Sequence, residues 1–112
     1  MIGHCMECHA AWSRGTSDFK NGLGHGGRPF APTNVHGFDP AWRGSIAANV
    51  TSDPTDGIGA WTDDEVARAI TKGISRDGHQ LKPPMGYSFY AGLTGGDVRD
   101  IIAYLRTLPP LQ

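Results

Sequence analysis

The chain has little with which to build either an ordinary core or a strongly charged surface. It contains only two cysteines, so no network of disulfides can brace it. Charged residues make up 19% of the sequence and nearly cancel, leaving a net charge of −1 with the histidines neutral. Without a basic excess, nucleic acid and anionic membrane surfaces are excluded as expected partners. No apolar run reaches the roughly eighteen residues that a membrane-spanning helix requires. Strong hydrophobic periodicity is missing from the whole first half. At 112 residues the chain is read as one domain, residues 1–112. A domain of that size buries only about two-thirds of its unfolded surface. Glycine (16) and proline (8) are plentiful, so much of the chain must be loop.

Both cysteines fall in one pentapeptide, Cys5-Met6-Glu7-Cys8-His9. This is a complete C-x-x-C-H, the attachment sequence for a c-type haem. Two intervening residues let both thiols turn to one side and reach the two vinyl groups of one porphyrin. His9 follows at once and offers an imidazole nitrogen to the iron. Other uses of the spacing fit less well. A structural zinc would need a second pair of ligands, whereas His4, His25, His36 and His79 are scattered. A thioredoxin-like pair would follow a hydrophobic strand, and none precedes Cys5. A Cys5–Cys8 disulfide would close a very short loop and stabilise little. A planar apolar cofactor, one per chain, would also supply core to a sequence poor in its own.

Covalent haem attachment takes place outside the cytoplasm, so a periplasmic, exported protein is expected. Met1-Ile2-Gly3-His4 is too short for a signal peptide or a helix. The expectation is a mature or trimmed fragment, or one domain of a longer chain.

Residues 10–60 carry little regular signal. Gly22, Gly24, Gly26, Gly27, Pro29, Pro32, Pro40, Asp53-Pro54 and Asp56-Gly57 punctuate them. Phe30, Val35, Phe38, Trp42, Ile46, Val50 and Ile58 give the stretch more apolar content than a disordered linker carries. An ordered, Ω-like wrap around a cofactor edge is expected. Helices follow. Thr62-Asp63-Asp64-Glu65 is a capping box, and Val66, Ala69, Ile70 and Gly73 continue it at helical spacing. A second helix opens at Thr94, with Asp97 in its first turn. Its stripe is Val98, Ile101, Ile102, Leu105 and Leu108, and Pro109-Pro110 stop it. Both stripes read as core.

Between the helices lies Asp77-Gly78-His79-Gln80-Leu81-Lys82-Pro83-Pro84-Met85-Gly86-Tyr87. A six-coordinate haem needs a second axial ligand, and a thioether favours ferrous iron and raises the potential. Pro83-Pro84 hold the segment extended and would limit the freedom of Met85. Most methionines only fill core. Met85, however, sits in a Pro/Gly-bounded loop, Met6 lies inside the attachment loop, and Met1 is terminal. Met85 is the favoured ligand. His79 is the alternative, and an open iron position is a third reading.

C-x-x-C-H with a downstream Pro-Pro-Met and a C-terminal amphipathic helix resembles a class I cytochrome c. The resemblance is closest to the cytochrome c domains of bacterial periplasmic dehydrogenases of the alcohol, aldehyde, gluconate and nicotinate type. Asn49 through Pro54, Gly57 through Trp61, Asp77 through Met85, Tyr87, Tyr90, Leu93-Thr94 and Ala103 through Pro110 carry it across nearly the whole chain. It implies an all-α, loop-rich fold around one covalently bound haem c. Cys5 and Cys8 would hold the haem, and His9 and Met85 would be its axial ligands. Trp61, Pro29, Pro84 and Tyr87 would line the pocket. Trp61 would either reach a propionate or simply anchor its helix by packing. Gly27-Arg28-Pro29 stands where the family has a proline whose carbonyl accepts from the proximal histidine. Arg28 itself reads as a solvated charge rather than a propionate partner. The helix that normally precedes the haem motif is missing from the sequence. That departure suggests truncation, a larger parent chain or an oligomeric contact over the last helix.

No nucleophile stands beside a base at a recognisable spacing, and Asp63, Asp64 and Glu65 read as a helix start rather than a catalytic cluster. The expected function is therefore single-electron transfer and not catalysis. A dehydrogenase would be the donor, and an oxidase or quinone-linked complex the acceptor. The runner-up is the same unit built into a multi-haem dehydrogenase subunit, and an open-site haem enzyme or gas sensor comes third. A net charge near zero predicts docking through a small, transient, mostly uncharged surface with weak salt dependence.

Overall fold

The computed structural model describes residues 5–33, 37, 40–82, 85 and 87–112, with Ser88 and Phe89 described by backbone alone. Pro83 and Pro84 from the ligand loop, and Val35 and Phe38 from the expected wrap, lie outside the described residues.

The haem motif forms a single helical turn, α1 (Met6–His9), with Cys5 at its N-cap position. A tight hairpin follows, with β1 (Ala11–Ser13) antiparallel to β2 (Thr16–Asp18) and Trp12 opposite Ser17. Its two-residue connection, Arg14-Gly15, has positive φ at both positions, as a hairpin turn matched to strand twist requires. A second ribbon pairs β3 (Pro29–Phe30) with β4 (Ser45–Ile46), also antiparallel. The remaining elements are α2 (Asp63–Lys72), α3 (Tyr87–Tyr90) and α4 (Gly95–Arg106). The expected all-α fold is thus met only in part. The two ribbons escaped the sequence pattern because strands of two or three residues are too short to show a period of two.

Helix α2 begins as its sequence predicts. Thr62 accepts from the amide of Glu65, and Glu65 accepts from the amide of Thr62 at 2.8 Å. It ends at Gly73, which takes a left-handed conformation (φ 69°). A side chain there would also strike the ring of Tyr87, whose atoms lie 2.6 Å from the ideal Cβ position. Helix α4 starts at Thr94, which accepts from the amide of Asp97.

Val66 and Ile70 of α2 meet Val98, Ile101, Ile102 and Leu105 of α4, and Ile58 and Leu108 complete the buried cluster. Each such side chain contributes about 1.5–3 kcal/mol by leaving water. Cys5 and Met6 pack against this cluster, as do Leu23, Val50, Trp61, Tyr90 and Leu93. The haem motif is therefore seated directly on the helical core. Arg106 locks the approach to α2 from the end of α4. It donates to the carbonyls of Ile58 (2.6 Å) and Trp61 (2.7 Å) and pairs with Asp63 at 3.0 Å. Among the described residues, no helix is long and apolar enough to cross a membrane.

The capping box gives a test of this arrangement. Thr62→Ala should lower stability by about 1 kcal/mol in a denaturant titration. The Thr62 amide holds the Glu65 carboxyl below its ordinary value of 4.5. Its contribution is therefore present above that value and lost as pH falls through the depressed one. The stability gap between the wild type and Glu65→Gln should close across that acidic window and stay constant above it.

Candidate haem-binding site

The pentapeptide folds so that its three chemical groups converge. The amides of Cys8 and His9 both donate to the Cys5 carbonyl, at 3.2 and 2.9 Å, which closes one helical turn. Positions i, i+3 and i+4 of such a turn share a face, so Cys5, Cys8 and His9 point the same way. Both thiols are free and half-buried. Burial pushes each above the ordinary thiol value, with the Arg28 guanidinium opposing the rise at Cys8.

His9 is held on three sides. Its amide belongs to the α1 turn, and its carbonyl accepts from the amide of Gly26 at 2.6 Å. Its Nδ1 lies 2.7 Å from the carbonyl oxygen of Ala48. A carbonyl can only accept, so Nδ1 carries the proton and Nε2 keeps its lone pair for a metal. Burial also lowers the imidazole pKa, with the Ala48 bond as a smaller opposing effect, so the neutral ligating form is favoured. Two free thiols and one oriented imidazole on a turn packed against apolar side chains form a donor set that fits haem c. Among the described residues, no group of three or more His, Cys, Asp and Glu is arranged to hold a metal ion on its own.

The acceptor for His9 corrects the expectation placed on Pro29. Pro29 is exposed and pairs with Ile46 across the β3–β4 ribbon, and the carbonyl facing Nδ1 comes from Ala48, just beyond β4. The ribbon explains the exchange. Ala47 donates to the Arg28 carbonyl and accepts from the amide of Gly27, which brings the next residue up to His9. Gly26 makes the approach possible. At φ 79°, a Cβ on it would lie 2.5 Å from both the Ala47 and Ala48 carbonyl oxygens.

Arg28 is not the free surface charge that the sequence suggested. Its guanidinium lies over the rings of Trp12 (4.7 Å) and Phe30 (5.1 Å) and donates to the Glu7 carbonyl at 2.8 Å. It thereby joins the first hairpin and β3 to the outer side of α1. The contacts that Ala48, Gly26 and Arg28 make around His9 and α1 were not read from the sequence. Only the glycine cluster hinted at close backbone approach.

Met85 is half-buried, and its amide donates to the Lys82 carbonyl at 3.3 Å. It leads directly into α3, whose Tyr90 packs on the core and lies close to the motif. Burial raises the Tyr90 phenol, and the nearby Cys5 and Cys8 add to that rise. Tyr87 lies against the Gly73 turn at the end of α2. Trp61 is half-buried on the core, its carbonyl held by Arg106. The His79 side chain is 60% exposed and engaged by Asp77, whose carboxyl is held low by the His79 amide and ring.

No protein-family model matches the chain. Curated relatives do. The diheme cytochrome c-type protein of Cereibacter sphaeroides is 32% identical over 108 residues, covering 96% of this chain and 33% of that protein. The gluconate 2-dehydrogenase cytochrome c subunit of Pantoea cypripedii is 32% identical over 103 residues, or 91% of this chain and 20% of the relative. The fructose dehydrogenase cytochrome subunit of Gluconobacter japonicus is 41% identical over 61 residues, 54% of this chain and 13% of the relative. The chain thus spans a third or less of the length of these relatives. With its C-x-x-C-H turn and its similarity to these subunits, the chain is a homologue of the cytochrome c subunits of bacterial dehydrogenases.

Proposed function

We propose that residues 1–112 form one electron-transfer domain of the class I cytochrome c type, carrying a single covalently bound haem c. The observation that carries this reading is the C-x-x-C-H turn itself, with two free thiols and a buried imidazole whose Nδ1 is anchored on a backbone carbonyl. Cys5 and Cys8 hold the group through thioether links, and His9 Nε2 is the proximal ligand. When bound, the haem supplies a reversible one-electron Fe(III)/Fe(II) couple.

Met85 is the distal ligand on this reading. Its place just before α3, beside the segment that carries Tyr90, supports it. The exposed His79 side chain, engaged by Asp77, favours Met85 over His79. Trp61, Pro84 and Tyr87 contribute to the pocket, with Arg106 holding the Trp61 backbone. The chain's residues fix the ligands and shield the site, and none is assigned a bond-making role.

Its partners are a dehydrogenase as donor and an oxidase or quinone-linked complex as acceptor, in the periplasm. The names of the relatives support the donor. A second reading, the same unit as one part of a longer multi-haem subunit, is favoured by the much greater length of the relatives and by the diheme one. Haem per chain in the native gene product, measured against its intact mass, separates the two.

The ligand set is tested by spectroscopy. The oxidised wild type should absorb near 695 nm, the mark that the cytochrome c resemblance assigns to a methionine–iron bond, and Met85→Ala should abolish that band while keeping the covalent haem. Absence of the band in the wild type together with ready carbon monoxide binding would refute the carrier reading in favour of an open site. Absence of the band in the wild type without carbon monoxide binding, with binding gained in His79→Ala but not in Met85→Ala, would move the ligand to His79. Gly26→Ala should be costly twice over. The left-handed backbone and the collision with the Ala48 carbonyl should lower stability by about 1–3 kcal/mol. The displaced carbonyl should also alter the proximal histidine signals in the NMR spectrum.

A further inference from the structure

The last residues of the chain return to the loop that carries the Ala48 carbonyl and bind it with side chains. After α4 ends at Arg106, Leu108 enters the core and the chain continues past Pro109-Pro110. The Leu108 carbonyl accepts from the Ser52 hydroxyl at 2.7 Å. The Leu111 carbonyl accepts from Asn49 Nδ2 at 2.5 Å, and the Leu111 amide donates to the Thr51 hydroxyl at 3.2 Å. The Gln112 carbonyl accepts from the ring of His25, one residue before Gly26, at 2.8 Å. Thr51 is fully buried, and its hydroxyl donates to Asn49 Oδ1 at 2.7 Å, while the Thr51 amide donates to the same oxygen at 2.9 Å. Three residues of the tail, Leu108, Leu111 and Gln112, are tied by these four hydrogen bonds to the two segments that enclose His9.

The position of these ties matters more than their number. The carbonyl that orients His9 belongs to the peptide between Ala48 and Asn49, so it cannot rotate without moving the Asn49 backbone. That peptide lies between two backbone rungs, Ala47 to Arg28 (3.0 Å) and Val50 to Gly24 (2.7 Å). The Asn49 side chain reaches outward from between these rungs, its amide on Leu111 and its oxygen on Thr51. Rotation of the peptide would break bonds at a buried hydroxyl, where an unpaired partner is costly.

We propose that Leu108–Gln112 is a strap that sets the Ala48 carbonyl on His9, and that Asn49 and Thr51 are positioning residues for the proximal ligand. The proposal rests on the reading of His9 as that ligand. A firm Nδ1–H···O=C bond makes the imidazole a stronger donor and favours ferric iron. Loosening the strap therefore raises the reduction potential.

The test uses the haem-loaded chain with Thr51→Val and Asn49→Ala, neither of which changes charge. Midpoint potential is measured by spectroelectrochemistry, and exchange of the His9 Nδ1 proton by NMR of the reduced protein. Both variants should shift the Fe(III)/Fe(II) balance severalfold toward ferrous iron at a fixed potential and speed Nδ1 proton exchange. Thr51→Ser, which keeps the hydroxyl, should restore both. Thr94→Ala, which weakens the start of α4 far from His9 in sequence, should lower stability without moving either readout. If Thr51→Val does not accumulate, the half-buried Asn49→Ala and Ser52→Ala carry the same comparison. Wild-type potential and exchange in Asn49→Ala and in Thr51→Val or Ser52→Ala, whatever their stability, would overturn the strap and leave the haem assignment standing. A wild-type chain that takes up no covalent haem, visible before any variant is made, would instead overturn the underlying reading.

Discussion

The bond from His9 Nδ1 to the Ala48 carbonyl is the constraint around which the first half of the chain is arranged. It joins residues 39 apart in sequence, and closing so long a loop costs entropy that one hydrogen bond cannot offset alone. The structure meets that cost by lacing the loop closed in several places. Gly26 reaches back to the His9 carbonyl, Gly27 and Arg28 exchange bonds with Ala47, and Val50 bonds to Gly24. The short β3–β4 ribbon extends the same contact. These bonds are backed by apolar burial at Phe30 and, against the helical core, at Leu23 and Val50. Their role is to bring one carbonyl to one imidazole.

Side-chain codes were legible in the sequence, and backbone codes were not. The capping box at Thr62, the start at Thr94 and the α4 stripe are written in side chains, and the structure reproduces them at the expected residues. Of the α2 stripe, Val66 and Ile70 are buried, whereas Ala67 rather than Ala69 packs on the cluster and Gly73 is the cap. Cys5, Cys8 and His9 were legible for the same reason, since their spacing is itself a geometry. The Ala48 carbonyl left no trace, because any residue can present one. A family pattern therefore drew attention to Pro29, whose neighbour Arg28 is instead paired with Ala47. The first hairpin was hidden by its three-residue strands and by Arg14 at a left-handed position that more often holds asparagine or glycine. Arg28 reads as a surface charge until Trp12 and Phe30 are seen beneath it.

The two halves of the molecule meet through a few side chains of mixed character. Cys5 and Met6 rest on the α2–α4 core, so the motif's orientation is tied to helices that begin more than fifty residues later. Arg106 closes the same connection from the far end, bonding the Ile58 and Trp61 carbonyls as it leaves α4. These are polar bonds to backbone placed beside an apolar cluster, an environment in which an unpaired carbonyl would be expensive. The loop from 58 to 62 is thereby fixed at the place where Trp61 is proposed to meet the cofactor.

The one-electron carrier proposed above would have a physical reason to be built this way. Its ligands must suit two oxidation states whose charges differ by one. Any ligand movement between them adds to the energy required for each transfer. A small domain cannot rely on core mass for such rigidity, because too much of its surface stays in water. Here the structure uses directional bonds in place of mass. Three hold His9, two rungs flank the peptide that faces it, and the returning tail braces that peptide through Asn49 and Thr51. Hydrogen bonds suit this task better than apolar contacts, because they restrict rotation as well as distance. The glycine- and proline-rich loop, which looks from composition like the weakest part of the chain, is on this view the part whose geometry matters most to the iron.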